Sequence, residues 1–122
     1  MWVKYNANPT ANRVGDCVIR AISKATRQEW EKTYMEICCE GLMLHDMPSS
    51  NNVWGNYLKG LGYCRFLADE GETVKDFAEN HPQGEYILAI SGHAVACVEG
   101  NYYDTWDSGD EIVIYYWERK CK

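Results

Sequence analysis

Cys17 follows Gly15-Asp16 and opens a stretch in which Val18, Ile19, Ala21, Ile22 and Ala25 recur at helical spacing. Its sulfur therefore stands at the start of a helix, where backbone N–H groups lack partners and the dipole is positive. Both features favour a thiolate and lower the thiol pKa. The same N–H groups can hold the oxyanion that forms when sulfur attacks a carbonyl. Far downstream, Gly92 precedes the apolar run His93-Ala94-Val95-Ala96-Cys97-Val98, which sets an imidazole at a strand end. An imidazole can take the thiol proton, and a carboxylate that orients the ring completes a relay. Asp104 and Asp107 are the acids offered by the next strand and its end.

Strand parity chooses between them, because side chains on one face repeat every two residues and paired residues point to the same side. A turn at Glu99-Gly100 sets Val95 opposite Asp104 and His93 opposite Trp106, so Asp104 shares a face with His93. A turn at Gly100-Asn101 sets Cys97 opposite Asp104 and keeps the face shared at greater distance. Asp107 qualifies only if a bulge after Trp106 shifts the phase. Asp104 is the expected acid and Asp107 the alternative.

The other cysteines, Cys38, Cys39, Cys64, Cys97 and Cys121, form no C-x-x-C pair, and His45, His81 and His93 stand far apart. Zinc ligation needs close pairs of such residues, so no metal is expected. Reduced thiols that pack as small apolar side chains are expected instead. Asp107-Ser108-Gly109-Asp110-Glu111 lacks the ligand order of a calcium loop and reads as an acidic turn. The relay needs no cofactor.

Around these groups the chain divides into helices followed by strands. The first sixteen residues, rich in Asn, Pro and Gly, predict an irregular lead-in. Asp16 is a candidate cap for the Cys17 helix, and Thr26-Arg27-Gln28-Glu29 has the form of a capping box for a second helix ending at Glu40-Gly41. A loop over 42–52, a third helix over Val53 to Lys59, a strand over Tyr63 to Leu67 and a short helix from Thr73 come next. Tyr86 to Ile90, His93 to Val98, Tyr102 to Trp106 and Ile112 to Trp117 are β-branched and aromatic runs that predict strands. The expected fold class is α+β, N-terminal helices packed on a C-terminal antiparallel β-sheet, in one domain over 1–122.

With 122 residues and 46% hydrophobic content, a single core is affordable without disulfides. Twelve basic against eighteen acidic residues give a net charge of -6, which disfavours a nucleic-acid partner. No apolar run is long enough to span a bilayer, and Met1-Trp2-Val3-Lys4 does not begin a secretion signal, so a cytoplasmic location is expected. Tyr102-Tyr103 and Tyr115-Tyr116 put one ring of each pair on either sheet face, which raises the expectation of an aromatic surface for a protein partner.

Gly15-Asp16-Cys17 at a helix start, Gly92-His93-Ala94-Val95 and Tyr103-Asp104-Thr105-Trp106-Asp107, in that order, resemble the papain-like cysteine peptidase superfamily. The Asp-Cys helix start is similar to the peptidase domains of bacteriocin-exporting ABC transporters, and the His-hairpin-Asp-Thr-Trp-Asp stretch to transglutaminase-like domains. The resemblance implies a papain-like fold with Cys17 as nucleophile, His93 as general base and then acid, and Asp104 as orienting group. Papain-like enzymes place a Gln six residues before the nucleophile, where this chain has Ala11; Asn12 is then the oxyanion candidate, with Asn6 and Asn8 farther off. The expected activity is hydrolysis of a peptide, isopeptide or side-chain amide through a thioester, on a peptide or protein substrate. The alternative is a non-catalytic binding protein of the same scaffold, of the kind a phage would encode to engage a host protein.

Overall fold

A computed structural model describes residues 1–119; Cys121 lies outside them. In chain order the elements are β1 (Trp2–Lys4), α1 (Cys17–Thr26), α2 (Trp30–Leu44), α3 (Asn51–Gly60), β2 (Tyr63–Leu67), α4 (Val74–Asn80), β3 (Glu85–Ile90), β4 (His93–Val98), β5 (Asn101–Asp104) and β6 (Tyr115–Arg119). The six strands form one sheet in the order β1-β5-β4-β3-β6-β2. This is an α+β protein. Two features depart from the expected architecture. β1, which the sequence left as irregular chain, is an edge strand parallel to β5, so the sheet is not wholly antiparallel. The helices also cover both faces rather than one.

On the first face Ile22, Ala25, Ile37, Val53, Trp54 and Leu58 pack against Ile87, Ala89, Ala94, Ala96 and Trp117, which joins α1, α2 and α3 to the central strands. On the second, Val74, Phe77 and Ala78 of α4 pack against Leu88, Ile90, Val95, Cys97 and Tyr102. The alternation Ala94/Ala96 against Val95/Cys97 along β4 is the period-2 pattern of a strand buried on both sides. The tyrosine pairs split across the faces as their parity requires, but helices lie over both. Tyr102 is buried, Tyr103 meets Tyr5 and the Lys24 ammonium, Tyr115 stacks on Trp54, and Tyr116 meets Phe77. These rings therefore do not make an open aromatic face.

Several element ends differ from the sequence expectation for local reasons. Thr26 does not cap α2: its Oγ1 donates to the Ile22 carbonyl, and α1 closes through Arg27 in the left-handed region, with N–H bonds to Lys24 and Ser23. Glu29 occupies the cap position of α2 without a side-chain bond. α2 also runs on through Gly41 to Leu44, because that glycine lets the returning chain approach: a Cβ there would lie 2.8 Å from the Asp46 carbonyl oxygen. The predicted turn at Glu99-Gly100 is present, with φ of 50° and 81° at the two residues, and it sets Val98 opposite Asn101. Thr73 and Asp76 form a capping box at the start of α4. Among the described residues no helix is long and apolar enough to cross a membrane.

Candidate active site

α1 begins at Cys17, and its first-turn N–H groups have no carbonyl one turn back to bond. Asp16 stands in the cap position yet makes no side-chain capping bond. Its carboxylate points elsewhere, Oδ1 accepting from Arg20 Nη1 at 2.6 Å and Oδ2 from Trp30 Nε1 at 2.9 Å. The N–H groups beside Cys17 thus remain open to an incoming oxygen.

The tight Ser91-Gly92 connection, with Gly92 at φ 65°, brings His93 to the first position of β4. The His93 ring stands on the same cleft wall as the Cys17 thiol and acts on it electrostatically, and its Nε2 lies 2.7 Å from Asp104 Oδ2. With Nε2 committed to the acid, Nδ1 is the nitrogen left to face sulfur. Parity alone puts His93 and Asp104 on the α4 side, with Val95 and Tyr102. The β4–β5 ladder stops at Ala96 and Tyr103, so both residues lie beyond its last pair, and Arg20 of α1 reaches Asp104 there.

Asp104 is fully buried and accepts four bonds: Oδ1 from Arg20 Nη2 at 3.1 Å and Thr105 N–H at 2.8 Å, Oδ2 from His93 Nε2 and from Ser108 Oγ at 3.0 Å. Its backbone is pinned by β1, which pairs Lys4 with Asp104, and by the Tyr5 N–H at 2.9 Å and Trp2 Nε1 at 3.2 Å on its carbonyl. The lead-in therefore positions the acid. Trp106, half-exposed, sets its ring 5.2 Å from that of His93.

The electrostatics follow from these contacts. Burial pushes the Cys17 thiol up, but bonds from His93 and the Ala94 backbone, with the charges of His93 and Arg20, bring it below its ordinary value. Burial likewise opposes protonation of His93, and its bonds to Asp104 and Cys17 overcome that and raise it to about 9. A thiolate–imidazolium pair is the state both shifts favour.

Two expected residues are not brought in. Asn12 is exposed and absent from the cleft walls, and its carbonyl accepts from Asn6 Nδ2 at 3.1 Å. Asn6 and Asn8 likewise spend their side-chain oxygens on the backbone N–H groups of Asn8 and Thr10. Their short polar side chains build the lead-in turns instead. Asp107 is also elsewhere: exposed, it accepts from Tyr102 Oη at 2.6 Å and Gly109 N–H at 3.0 Å, which together hold it below the usual carboxylate range. No bulge turns it toward His93.

Sequence reading missed Arg20 and Ser108. Arg20 carried a signal, a charge one turn beyond Cys17 set between Ile19 and Ala21 on the apolar stretch of the helix; Ser108, in a polar turn, carried none.

Cys17 and His93 stand on the wall of a cleft of about 540 Å³, otherwise faced mainly by Val18, Ile37, Trp54, Ile90, Ile114 and Tyr115. Cys38, Cys39, Cys64 and Cys97 are free thiols, and burial pushes that of Cys97 up to about 12. Among the described residues no cluster of His, Cys, Asp and Glu could hold a metal. Comparison with protein-family models, curated protein sequences and solved structures found no match to this chain.

Proposed function

We propose that this protein is a papain-like thiol hydrolase that cleaves a peptide, isopeptide or side-chain amide through a Cys17 thioester. The observation that carries the reading is the convergence of Cys17, at the start of α1, with His93, whose Nε2 lies 2.7 Å from a buried Asp104, on one largely apolar cleft. The Cys17 thiolate attacks the carbonyl carbon, forming the C–S bond, while first-turn N–H groups of α1 hold the oxyanion. His93 gives its proton to the leaving nitrogen as the C–N bond breaks and the amine departs. Water then gives a proton to His93 and its oxygen to the acyl carbon; the C–S bond breaks, and the acid leaves with the thiolate–imidazolium pair restored. Asp104 keeps the ring in place throughout. The walls favour an uncharged acyl residue, since a buried unpaired charge is costly.

Iodoacetamide labelling across pH tests the reading. Cys17 is expected to alkylate at pH 6 roughly tenfold or more faster than a model thiol, and His93→Ala to abolish the advantage. A labelling rate equal to the model thiol, unchanged in His93→Ala, overturns it and leaves the non-catalytic binding protein as the reading of the same scaffold.

A further inference from the structure

We propose that Arg20 is a positioning residue with two simultaneous tasks: it holds Asp104 toward His93, and it holds the Asp16 carboxylate away from the α1 N–H groups that receive the oxyanion. The inference rests on the hydrolase reading and deepens it.

The geometry is a fork. Arg20 is buried at 6% exposure; Nη1 reaches Asp16 Oδ1 at 2.6 Å and Nη2 reaches Asp104 Oδ1 at 3.1 Å. A planar guanidinium offers separate N–H groups in fixed directions, whereas an ammonium is a single point of charge. Asp is among the preferred residues at a helix cap because its carboxylate accepts from the second or third N–H group. Here it does not, although it occupies that position and is itself 5% exposed. Arg20 takes one of its oxygens and Trp30 the other. Released from Arg20, the carboxylate would keep only the Trp30 bond, and its uncompensated negative charge would stand beside the α1 N–H groups where the oxyanion must form.

The thiol's surroundings permit a pH test. The charged and titratable groups around Cys17 are Asp16 at the cap of α1, Arg20 from α1, His93 from β4, Asp104 from β5 behind it, and the Tyr115 phenol from β6 on the same cleft; Tyr5 acts on Arg20 and Asp16. The cleft residues from α2 and α3, Ile37, Asn51 and Trp54, carry no charge.

Two probes separate the tasks. Iodoacetamide alkylation needs the thiolate alone, whereas acylation by p-nitrophenyl acetate, read as the p-nitrophenolate burst, also develops an oxyanion. In Arg20→Gln the acid limb of the alkylation profile is expected to move to higher pH. Acylation is expected to fall about tenfold or more beyond the fall in alkylation. Adding Asp16→Ala to Arg20→Gln is expected to return most of that extra loss. Arg20→Lys keeps the buried charge and carries the test if Arg20→Gln does not fold by circular dichroism; its acid limb stays near wild type while the acylation-to-alkylation ratio falls. Parallel losses in both probes, with no recovery in the double variant, or full activity in Arg20→Lys, would overturn the proposal. Wild-type protein that neither alkylates rapidly nor gives a burst would instead sink the hydrolase reading.

Discussion

At the residue scale, the shifts of Cys17 and His93 run in opposite directions. The His93 proton persists to about 9, while the thiol gives up its own below the ordinary value. In the proposed reaction the acylating state needs both a thiolate and a charged imidazole. The burst rate with p-nitrophenyl acetate should therefore rise with pH as Cys17 ionises, hold a plateau, and fall near pH 9 as His93 deprotonates. An alkaline limb near 6.5, the free imidazole value, would show that Asp104 does not support the ring. Removing that support is the second prediction. Asp104→Asn deletes a negative charge that favours His93⁺ and puts an amide, which can donate as well as accept, against Nε2. The alkaline limb should move to lower pH and the plateau drop roughly hundredfold, with Arg20 left facing one carboxylate instead of two. An unchanged profile would mean that the 2.7 Å contact has no bearing on reactivity.

At the element scale, packing decides where local signals compete. Gly41 lies inside α2, where Ala would be favoured by about 1 kcal/mol on helix propensity. A Cβ there would meet the Asp46 carbonyl oxygen at 2.8 Å and the Pro48 nitrogen at 3.4 Å, both backbone atoms that cannot simply rotate away. The clash should outweigh the propensity, so Gly41→Ala is expected to lower stability by about 1–3 kcal/mol in urea unfolding. A gain of stability would show that the loop yields freely. The same rule explains what the sequence made legible. β4 and the Glu99-Gly100 turn were readable because parity and positive φ are local, and they sufficed to select Asp104 over Asp107. β1 was not readable: it has three residues, and its partner β5 lies near the other end of the chain. The Thr26-x-x-Glu29 pattern misled because Thr26 spends its hydroxyl on the preceding turn of α1. Asn12 looked suitable by position alone, and only the path of the lead-in turns it away.

At the scale of the whole molecule, the sheet separates chemistry from much of the stability. α1 and the cleft lie with the first core cluster, while Phe77 of α4 lies with the second, fully buried against His81, Tyr86 and Tyr116. Truncating a buried Phe costs about 3–5 kcal/mol, from lost transfer free energy and the cavity left behind. That is a large share of the roughly 5–15 kcal/mol that holds a domain of this kind together. Yet the hydrogen bonds and ring contacts that hold His93 and Asp104 run to Arg20, Thr105, Ser108 and Trp106, while Phe77 stacks on His81, Tyr86 and Tyr116. Phe77→Ala should therefore lower the urea midpoint markedly while the Cys17 alkylation rate at pH 6, measured below the unfolding transition and scaled to folded protein, stays within about twofold of wild type. The contrast with Arg20→Gln is the point of the measurement: that variant moves the pH profile, and Phe77→Ala should move only the midpoint. A shifted profile in Phe77→Ala would mean that packing under α4 is transmitted through β4 to His93, and that the two faces of the sheet work as one unit.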